Sequence, residues 1–367
     1  MNGNSIGKAL TLTCFGESHG ACIGAIIDGC PAGLPLTEMD IQAELDRRKP
    51  GSEVIGTTRR EEDKVEILSG VFRGYTTGAP ICMIIRNVDV RSEVYEQIRY
   101  KPRPGHADYT AFIKYGGYND YRGGGRFSGR ITTAYVMAGA IAKKILKIVN
   151  VEVLAHTVQI GDVRVNRDLS YDDIRMNTYK NPVRCADPEA ASLMERVILE
   201  ASEEGDSVGG VVEGIALNVP AGLGEPIFDS LDADIAKMMF NIPAVKGVEF
   251  GAGFKAASMT GSENNDEYAI KNGKIVTLSN NSGGVLGGIS NGMPIVVRVA
   301  FKPTPSISKR QRTVDLAQMK NAEIEVYGRH DPCIVPRAVP VVEACLAFVL
   351  ADHAIRSQKV PRVLRRK

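Results

Sequence analysis

Apolar residues along this chain fall into short runs bounded by glycine or proline and into longer stretches with helical spacing. Runs of about four to eight residues rich in β-branched side chains are typical of strands, and longer stretches with an apolar period near 3.6 are typical of helices. The predicted strands are residues 9–15, 22–28, 65–71, 81–85, 151–158, 211–219 and 295–301. The predicted helices are residues 38–48, 131–148, 188–203, 231–240 and 339–356.

Two of the predicted helices, residues 131–148 and 339–356, are apolar around most of their circumference. Helices of this kind are usually buried between layers and do not lie on a surface. The helix at 38–48 has clear boundaries, with Thr37 as N-cap, Asp40 three residues later and Pro50 beyond its end. The pattern predicts a mixed fold with long helices in its interior.

The chain contains a diffuse internal repeat. Residues 30–34 recur as 219–223, and residues 70–81 recur as 284–295 with six of the twelve positions identical. In each half a basic loop and then an arginine, Arg130 or Arg337, precede a long apolar helix. We interpret the halves, approximately 8–150 and 208–356, as a duplicated unit within one domain spanning 1–367. Coincidental matches among glycine and proline turns are the alternative.

Composition adds little to this picture. The 367 residues are 44% hydrophobic and 24% charged, with a net charge of +2, which by itself indicates neither a nucleic-acid nor a membrane partner. The seven cysteines form no CxxC pair, so they predict buried thiols and not a disulfide framework or zinc site. We expect no metal, no signal peptide, no apolar run long enough to span a bilayer, and a reducing cytoplasm.

Candidate chemistry centres on histidine. Of the five histidines, His19, His106 and His330 lie in glycine-containing, poorly periodic segments with arginines nearby. Imidazole is the side chain whose pKa lies nearest neutrality, so it is the usual proton donor or acceptor at that pH. These segments predict proton chemistry on an anionic substrate. His156 and His353, in a strand and a helix, are better interpreted as structural.

Two segments have competing interpretations. Residues 16–20 spell G-x-S-x-G, but the residues that follow predict a strand where a hydrolase nucleophile elbow requires a helix. The cationic glycine loop at 121–130 could approach an anion closely, with Ser128 capping the next helix. An ordinary flexible loop is the alternative, and an RGG-like RNA-binding element is a second one, although such elements are usually repeated.

The segment at 301–308 places a lysine and several hydroxyls after a predicted strand end, stiffened by two prolines. Rigid hydroxyl-rich loops suit the phosphate and ribityl groups of a nucleotide-like cofactor. A plain strand exit is the alternative. Near the first helix, Arg47 and Lys49 are explained by the helix dipole alone.

Taken together, these segments resemble chorismate synthases over nearly the whole chain. The resemblance lies in residues 16–29, 103–108, 125–132, 302–306 and 329–343. It implies a carbon–oxygen lyase that converts 5-enolpyruvylshikimate 3-phosphate to chorismate and phosphate by 1,4-anti elimination in the shikimate pathway of aromatic amino acid biosynthesis. Reduced FMN is the implied cofactor, and some members of the family reduce it with NADPH, which the sequence leaves open here.

The resemblance also implies roles for individual residues. His19 would protonate the departing phosphate, His106 would manage a proton near N1 of the flavin, and Asp331 would assist deprotonation at N5. The implied substrate-binding residues are Ser18, Arg48, Arg103 and Arg130, assisted by Ser128 and Arg329. The implied FMN-binding residues are Arg126, Phe127, Ser128, Ala244, Gly287, Lys302, Pro303, Thr304, Pro305, Ser306 and Arg329.

The family fold implied is α+β, a β-α-β sandwich in which long central helices are covered on both sides by antiparallel sheets. A homotetramer is the implied assembly. The small-molecule substrate is the expected partner, with no nucleic acid and no membrane.

Overall fold

The computed structural model describes residues 3–49, 62–88, 95–96, 98–326 and 331–365. Its strands in chain order are β1 (Ser5–Ile6), β2 (Thr11–Gly16), β3 (Cys22–Asp28), β4 (Val65–Ile67), β5 (Val71–Phe72), β6 (Tyr75–Thr76), β7 (Ile81–Arg86), β8 (Glu152–Ile160), β9 (Val163–Arg164), β10 (Gly210–Leu217), β11 (Val245–Phe250), β12 (Tyr268–Lys271), β13 (Lys274–Thr277), β14 (Val285–Leu286), β15 (Ile289–Ser290), β16 (Ile295–Phe301), β17 (Gln311–Asp315) and β18 (Lys320–Ile324). Its α-helices are α1 (Glu38–Arg48), α2 (Asp108–Tyr115), α3 (Thr132–Leu146), α4 (Tyr171–Asn177), α5 (Pro188–Glu203), α6 (Leu231–Phe240), α7 (Gly261–Asn264) and α8 (Val335–Arg356).

Two five-stranded sheets form the framework. Their strand orders are β1-β2-β3-β7-β4 and β11-β16-β10-β8-β9, and neighbouring strands in both are antiparallel. The combination of helices with antiparallel sheets confirms the predicted α+β class.

The long apolar helices lie in the interior, as predicted. Helix α3 packs against β3 of the first sheet and against α8, while α8 packs against β8 and β10 of the second sheet. Nearly every residue of α8 is buried, and Phe348 is its largest fully buried side chain. One hydrophobic core therefore joins both sheets through the two helices. Five of the seven cysteines are buried thiols.

Several predicted boundaries were wrong by a few residues. Helix α8 begins at Val335 and not at 339, because Pro336 is accommodated in the first turn and Pro340 within the helix. The predicted strand at 65–71 is two strands, β4 and β5, since the chain bends at Ser69-Gly70 between them. The predicted helix at 131–148 is α3 with a single 3₁₀ turn at each end.

The expectation about bilayer-spanning segments also needs correction. By length and composition alone, α8 is apolar enough to cross a membrane, with a mean hydropathy of 1.7 over its most apolar window. That window is entirely buried inside the protein. Its apolar character is accounted for by packing in the core between the two sheets.

Candidate active site

A cavity of about 760 Å³ lies beside the start of α3 and collects most of the predicted site residues. Those that line it are Ser18, His19, Arg48, Arg103, His106, Arg126, Phe127, Ser128, Arg130, Ala244, Lys302, Thr304, Pro305, Ser306 and Asp331. These residues come from seven separate stretches of the chain. The fold thus brings together segments that the sequence could only present one after another.

Three predicted residues are not part of this set. Gly287 is exposed in the turn between β14 and β15 and does not line the cavity of this chain. Pro303 lies between two lining residues without lining the cavity itself. Arg329, like His330, lies outside the described residues.

The glycine loop that precedes α3 separates the two candidate histidines. A Cβ on Gly123 would lie 2.3 Å from Cδ2 of His19, and a Cβ on Gly124 would lie 3.0 Å from Cε1 of His106. Both glycines have positive φ, so the backbone conformation also favours glycine. Consecutive Cα atoms are about 3.8 Å apart, so the two imidazoles flank one short piece of backbone. The backbone of this loop is therefore part of the site.

The buried guanidinium of Arg103 organises the surroundings of His106. Its Nε and Nη2 each lie 2.8 Å from an oxygen of Asp108, and Asp108 Oδ1 lies 2.6 Å from Nδ1 of His106. Nη1 of Arg103 donates to Ser306 Oγ at 3.1 Å. Burial would raise the pKa of Asp108, but the hydrogen bonds from Arg103 and His106 hold it well below its usual range.

Burial also sets the protonation of His106. Desolvation lowers the pKa of this imidazole below its usual value, and the nearby cations Arg103 and Lys302 lower it too, while Asp108 opposes them. The net result is a lowered pKa. A neutral imidazole is therefore the resting form at neutral pH, and it can accept a proton.

A second buried cluster joins two arginines through one carboxylate. Asp63 accepts from Nη1 of Arg130 at 2.8 Å and lies 3.5 Å from Nη1 of Arg48. Arg48 also donates from Nε to Thr132 Oγ1 at 2.9 Å and from Nη2 to the Gly129 carbonyl at 3.0 Å. All three charged side chains are buried. Burial, together with Arg337 and Arg130 nearby, lowers the pKa of Arg48 to about 9, and Asp63 opposes this.

Local sequence explains how Arg130 reaches the cavity. Ser128 is extended, and its Oγ accepts from the backbone N–H of Arg130 at 3.3 Å, which caps a 3₁₀ turn leading into α3. The Arg130 side chain is then fixed by its Nε, which donates to Asn87 Oδ1 at 2.6 Å. A helix start faces the cavity here, where anions are favoured.

The beginning of α8 forms another wall of the cavity. Asp331 and Arg337 both line it, and Nη1 of Arg337 lies 2.6 Å from Asp331 Oδ2. With Arg48, Arg103, Arg126 and Arg130, Arg337 makes the cavity strongly cationic. Asp331 is a carboxylate held within that cationic wall.

The segment after β16 supplies hydroxyls and a lysine to the cavity wall. Lys302 Nζ donates to the Gly105 carbonyl at 2.9 Å, and its backbone N–H donates to the Ala244 carbonyl at 3.0 Å. Thr304 Oγ1 is buried and has no hydrogen-bond partner within the described residues. This wall therefore presents one lysine and the hydroxyl-bearing residues Thr304 and Ser306 to the cavity.

Sequence reasoning missed several residues that hold the site together. Asp63, Asn87 and Thr132 position the arginines, and Arg337 was recognised only as the start of a repeated helix. Asp108 could have been found, because it lies inside the segment that carries Arg103 and His106. Asp63 has no local signal, since its neighbours in the chain carry no recognisable motif.

Comparisons with known proteins agree with this site. A sequence profile of the chorismate synthase family matches residues 10–355. The chain is 58% identical over 359 residues to a chorismate synthase of Korarchaeum cryptofilum, covering 98% of this chain and 99% of that one. It is 56% identical over 362 residues to one of Dehalococcoides mccartyi, covering 99% of both. A crystal structure of a chorismate synthase matches with a TM-score of 0.76 at 36% identity, over 96% of this chain and 93% of that one.

Relatives this similar over their whole length, together with a cationic cavity that holds two imidazoles, define an enzyme of the lyase class in the shikimate pathway. More particularly, the chain belongs to the chorismate synthase family.

Proposed function

We propose that this chain converts 5-enolpyruvylshikimate 3-phosphate to chorismate and phosphate by 1,4-anti elimination, in a manner that depends on reduced FMN. The observation that supports this most directly is one cavity in which His19 and His106 flank a glycine loop and arginines surround them. A substrate with two carboxylates and a phosphate needs several guanidinium groups, and these bind carboxylate and phosphate in the same forked geometry.

The residues of the chain divide between the two ligands. Arg48, Arg103 and Arg130 would bind the carboxylates and phosphate, and His19 would donate a proton to the leaving phosphate. His106, neutral at rest, would accept and return a proton near the flavin ring, and Asp331 would assist removal of the substrate proton. Exclusion of water by the buried walls strengthens each of these electrostatic contacts.

Reduced FMN, when bound, would supply electron density that helps the carbon–oxygen bond break without net oxidation. Two segments would hold it: residues 126–128 in front of α3, and residues 302–306 after β16. Lys302, Thr304 and Ser306 line the cavity, and their ammonium and hydroxyl groups would supply donors for a phosphate or ribityl oxygen. Ala244, adjacent to Lys302 through a backbone hydrogen bond, completes this wall.

An anaerobic assay tests the proposal. The protein is mixed with chemically reduced FMN and the phosphorylated enolpyruvyl substrate, and chorismate is measured by its absorbance and by chromatography. We expect turnover that stops when either FMN or the reductant is omitted. Equal product without flavin, or none with all components, contradicts the proposal. Replacing the chemical reductant by NADPH then tests whether the chain reduces its own flavin.

His106→Ala examines the assigned proton chemistry. We expect turnover to fall by at least ~10²-fold, as is typical when an acid–base group is lost. His353→Gln is the matched control, because His353 is buried beside Asp234 and does not line the cavity. A near-normal rate in His106→Ala, measured on folded protein, contradicts the role.

We also propose a duplicated β-α-β sandwich, assembled as a cytoplasmic homotetramer. The two sheets support the duplication, because β2-β3-β7-β4 and β8-β10-β16-β11 occur in the same spatial and chain order. This match includes β8 (Glu152–Ile160), so the second unit would begin before residue 208. In each half a helix, α1 or α6, follows the repeated Pro-Ala-Gly-Leu turn. Sedimentation of the purified protein tests the tetramer, and a single species of monomer mass contradicts it.

A further inference from the structure

Arg184 is a buried arginine behind the cavity that none of the proposed chemistry uses. It is 5% exposed and has a positive φ of 55°. Its backbone is fixed to the second sheet, because its carbonyl accepts from the N–H of Thr157 in β8 at 2.8 Å. The Asn181 side chain fastens the same loop through both backbone groups of Cys185. The side chain therefore extends from a rigid base.

The guanidinium of Arg184 joins the ends of two helices. Nη2 donates to the Lys49 carbonyl at 2.7 Å, and Nη1 donates to the Pro336 carbonyl at 2.5 Å. Lys49 is the C-cap of α1 and directly follows Arg48. Pro336 lies in the first turn of α8 and directly precedes Arg337. Each carbonyl thus belongs to the neighbour of an arginine that lines the cavity.

Both carbonyls need a donor from outside their own helix. The Lys49 carbonyl lies beyond the last turn of α1, where helical donors end. The Pro336 carbonyl would normally accept from the N–H four residues later, but that residue is Pro340, which has none. A single guanidinium can serve two such acceptors because its donors are fixed in a plane.

Nearby groups keep Arg184 charged and in place. Its guanidinium lies 5.6 Å from the ring centre of Tyr179, whose hydroxyl donates to Glu343 of α8 at 3.1 Å. Glu343 in turn lies 2.7 Å from Lys143 of α3. Burial lowers the pKa of Arg184 to about 10, which still leaves it protonated at neutral pH.

We propose that Arg184 is a positioning residue that sets the distance between Arg48 and Arg337, so that both guanidiniums can bind the anionic groups of one substrate molecule. This inference rests on the proposed function. Arg184 itself touches neither substrate nor flavin. Its loss would move the two arginines relative to each other and weaken substrate binding, while the flavin wall at 302–306 stays intact.

The test compares Arg184→Ala and Arg184→Lys with wild type in the anaerobic chorismate assay. For Arg184→Ala we expect kcat/KM to fall by about 10²-fold, mostly through a higher KM. Lysine can keep one of the two hydrogen bonds well, so a loss of about tenfold is expected. Affinity for FMN, measured by fluorescence quenching, should be unchanged. Substrate affinity measured by calorimetry with oxidised FMN should fall in parallel with KM.

Controls separate positioning from a purely structural effect. A merely structural loss lowers the fraction of active enzyme, which reduces kcat and leaves KM unchanged. Added guanidinium at a non-denaturing concentration should lower the KM of Arg184→Ala, and potassium chloride at equal ionic strength should not. Arg175→Ala is the matched control, because Arg175 pairs with Glu152 on the surface and should retain wild-type kinetics.

The KM values of the two Arg184 variants decide whether Arg184 acts as a positioning residue. A wild-type KM in folded Arg184→Ala overturns the inference. If that variant does not fold, Arg184→Lys decides in its place, and an unchanged KM overturns the inference. If wild type and Arg175→Ala both lack turnover, the proposed function fails, and the inference fails with it.

Discussion

At the scale of single residues, burial and partners give identical side chains different properties. Arg48 and Arg184 are buried and have lowered pKa values, while the exposed Arg86, paired with Glu66, has a raised one. The difference follows from desolvation, which penalises the charged form in the interior. Charge in this cavity is therefore held in place at a cost that an anionic ligand would relieve.

The lowered pKa of His106 predicts a pH dependence of stability. As pH falls below the usual imidazole value of 6.5, the unfolded chain binds a proton that the folded chain does not. The free energy of unfolding should therefore fall over that range. Urea unfolding at several pH values should show a shallower decline in His106→Asn. An NMR titration that places the pKa of His106 at or above 6.5 contradicts the prediction. In the Asp108→Asn variant the pKa of His106 should be lower than in wild type, because the carboxylate of Asp108 raises it.

Removal of Asp63 should destabilise the fold. Asp63→Ala leaves two buried guanidiniums, Arg48 and Arg130, without their shared carboxylate, and breaking a buried pair in this way typically costs about 3–5 kcal/mol. Urea denaturation measures the loss. Glu66→Ala is the control, because its pair with Arg86 is exposed and is worth about 1 kcal/mol or less. Equal stability in the two variants would show that Asp63 is not part of a structural cluster.

At the scale of elements, the sequence predicts those segments whose pattern is complete within themselves. Strand β3 and helices α1, α5 and α6 were predicted with correct ends, because apolar periodicity, caps and glycine or proline all agree there. Strand β11 was missed, since its sequence mixes lysine, glycine and glutamate, and it is defined by pairing with β16. Non-local hydrogen bonds of this kind leave little trace in local sequence.

The contact between the two central helices depends on one glycine. A Cβ on Gly139 of α3 would lie 2.3 Å from Cβ and 2.5 Å from Cα of Ala344 in α8. Alanine has a higher helix propensity by about 1 kcal/mol, but overpacking typically costs about 1–3 kcal/mol. We expect Gly139→Ala to lower the free energy of unfolding, as measured in urea.

Two further variants serve as controls for Gly139→Ala. Gly261→Ala adds a Cβ with nothing within 4 Å, so a change within about 0.5 kcal/mol is expected. Adding Ala344→Gly to Gly139→Ala should recover part of the loss, which a double-mutant cycle reports as a favourable coupling. If the Gly139→Ala variant is as stable as wild type, the two helices can separate enough to accommodate the added methyl group without a net loss of stability.

At the scale of the whole molecule, the sequence presented the site as separate motifs, and folding shows why they belong together. His19 lies far along the chain from His106 and Gly123, and all three meet in the cavity. Asp63 and Arg184 were beyond sequence reasoning, because their importance depends only on which distant groups they contact. Motifs that face the cavity were predictable, and the residues behind them were not.

The shared core predicts that the two halves unfold together. Helix α3 covers the first sheet, α8 covers the second, and the helices pack on each other, so neither sheet keeps a covered face if the other half unfolds. The chain has no tryptophan, so Phe15→Trp in β2 and Phe250→Trp in β11 would each report on one sheet. Their urea transitions should coincide, as expected for one cooperative unit. Two separate midpoints, reproducible at several protein concentrations without flavin, would show that the sheets are independent and that α3 and α8 do not couple them.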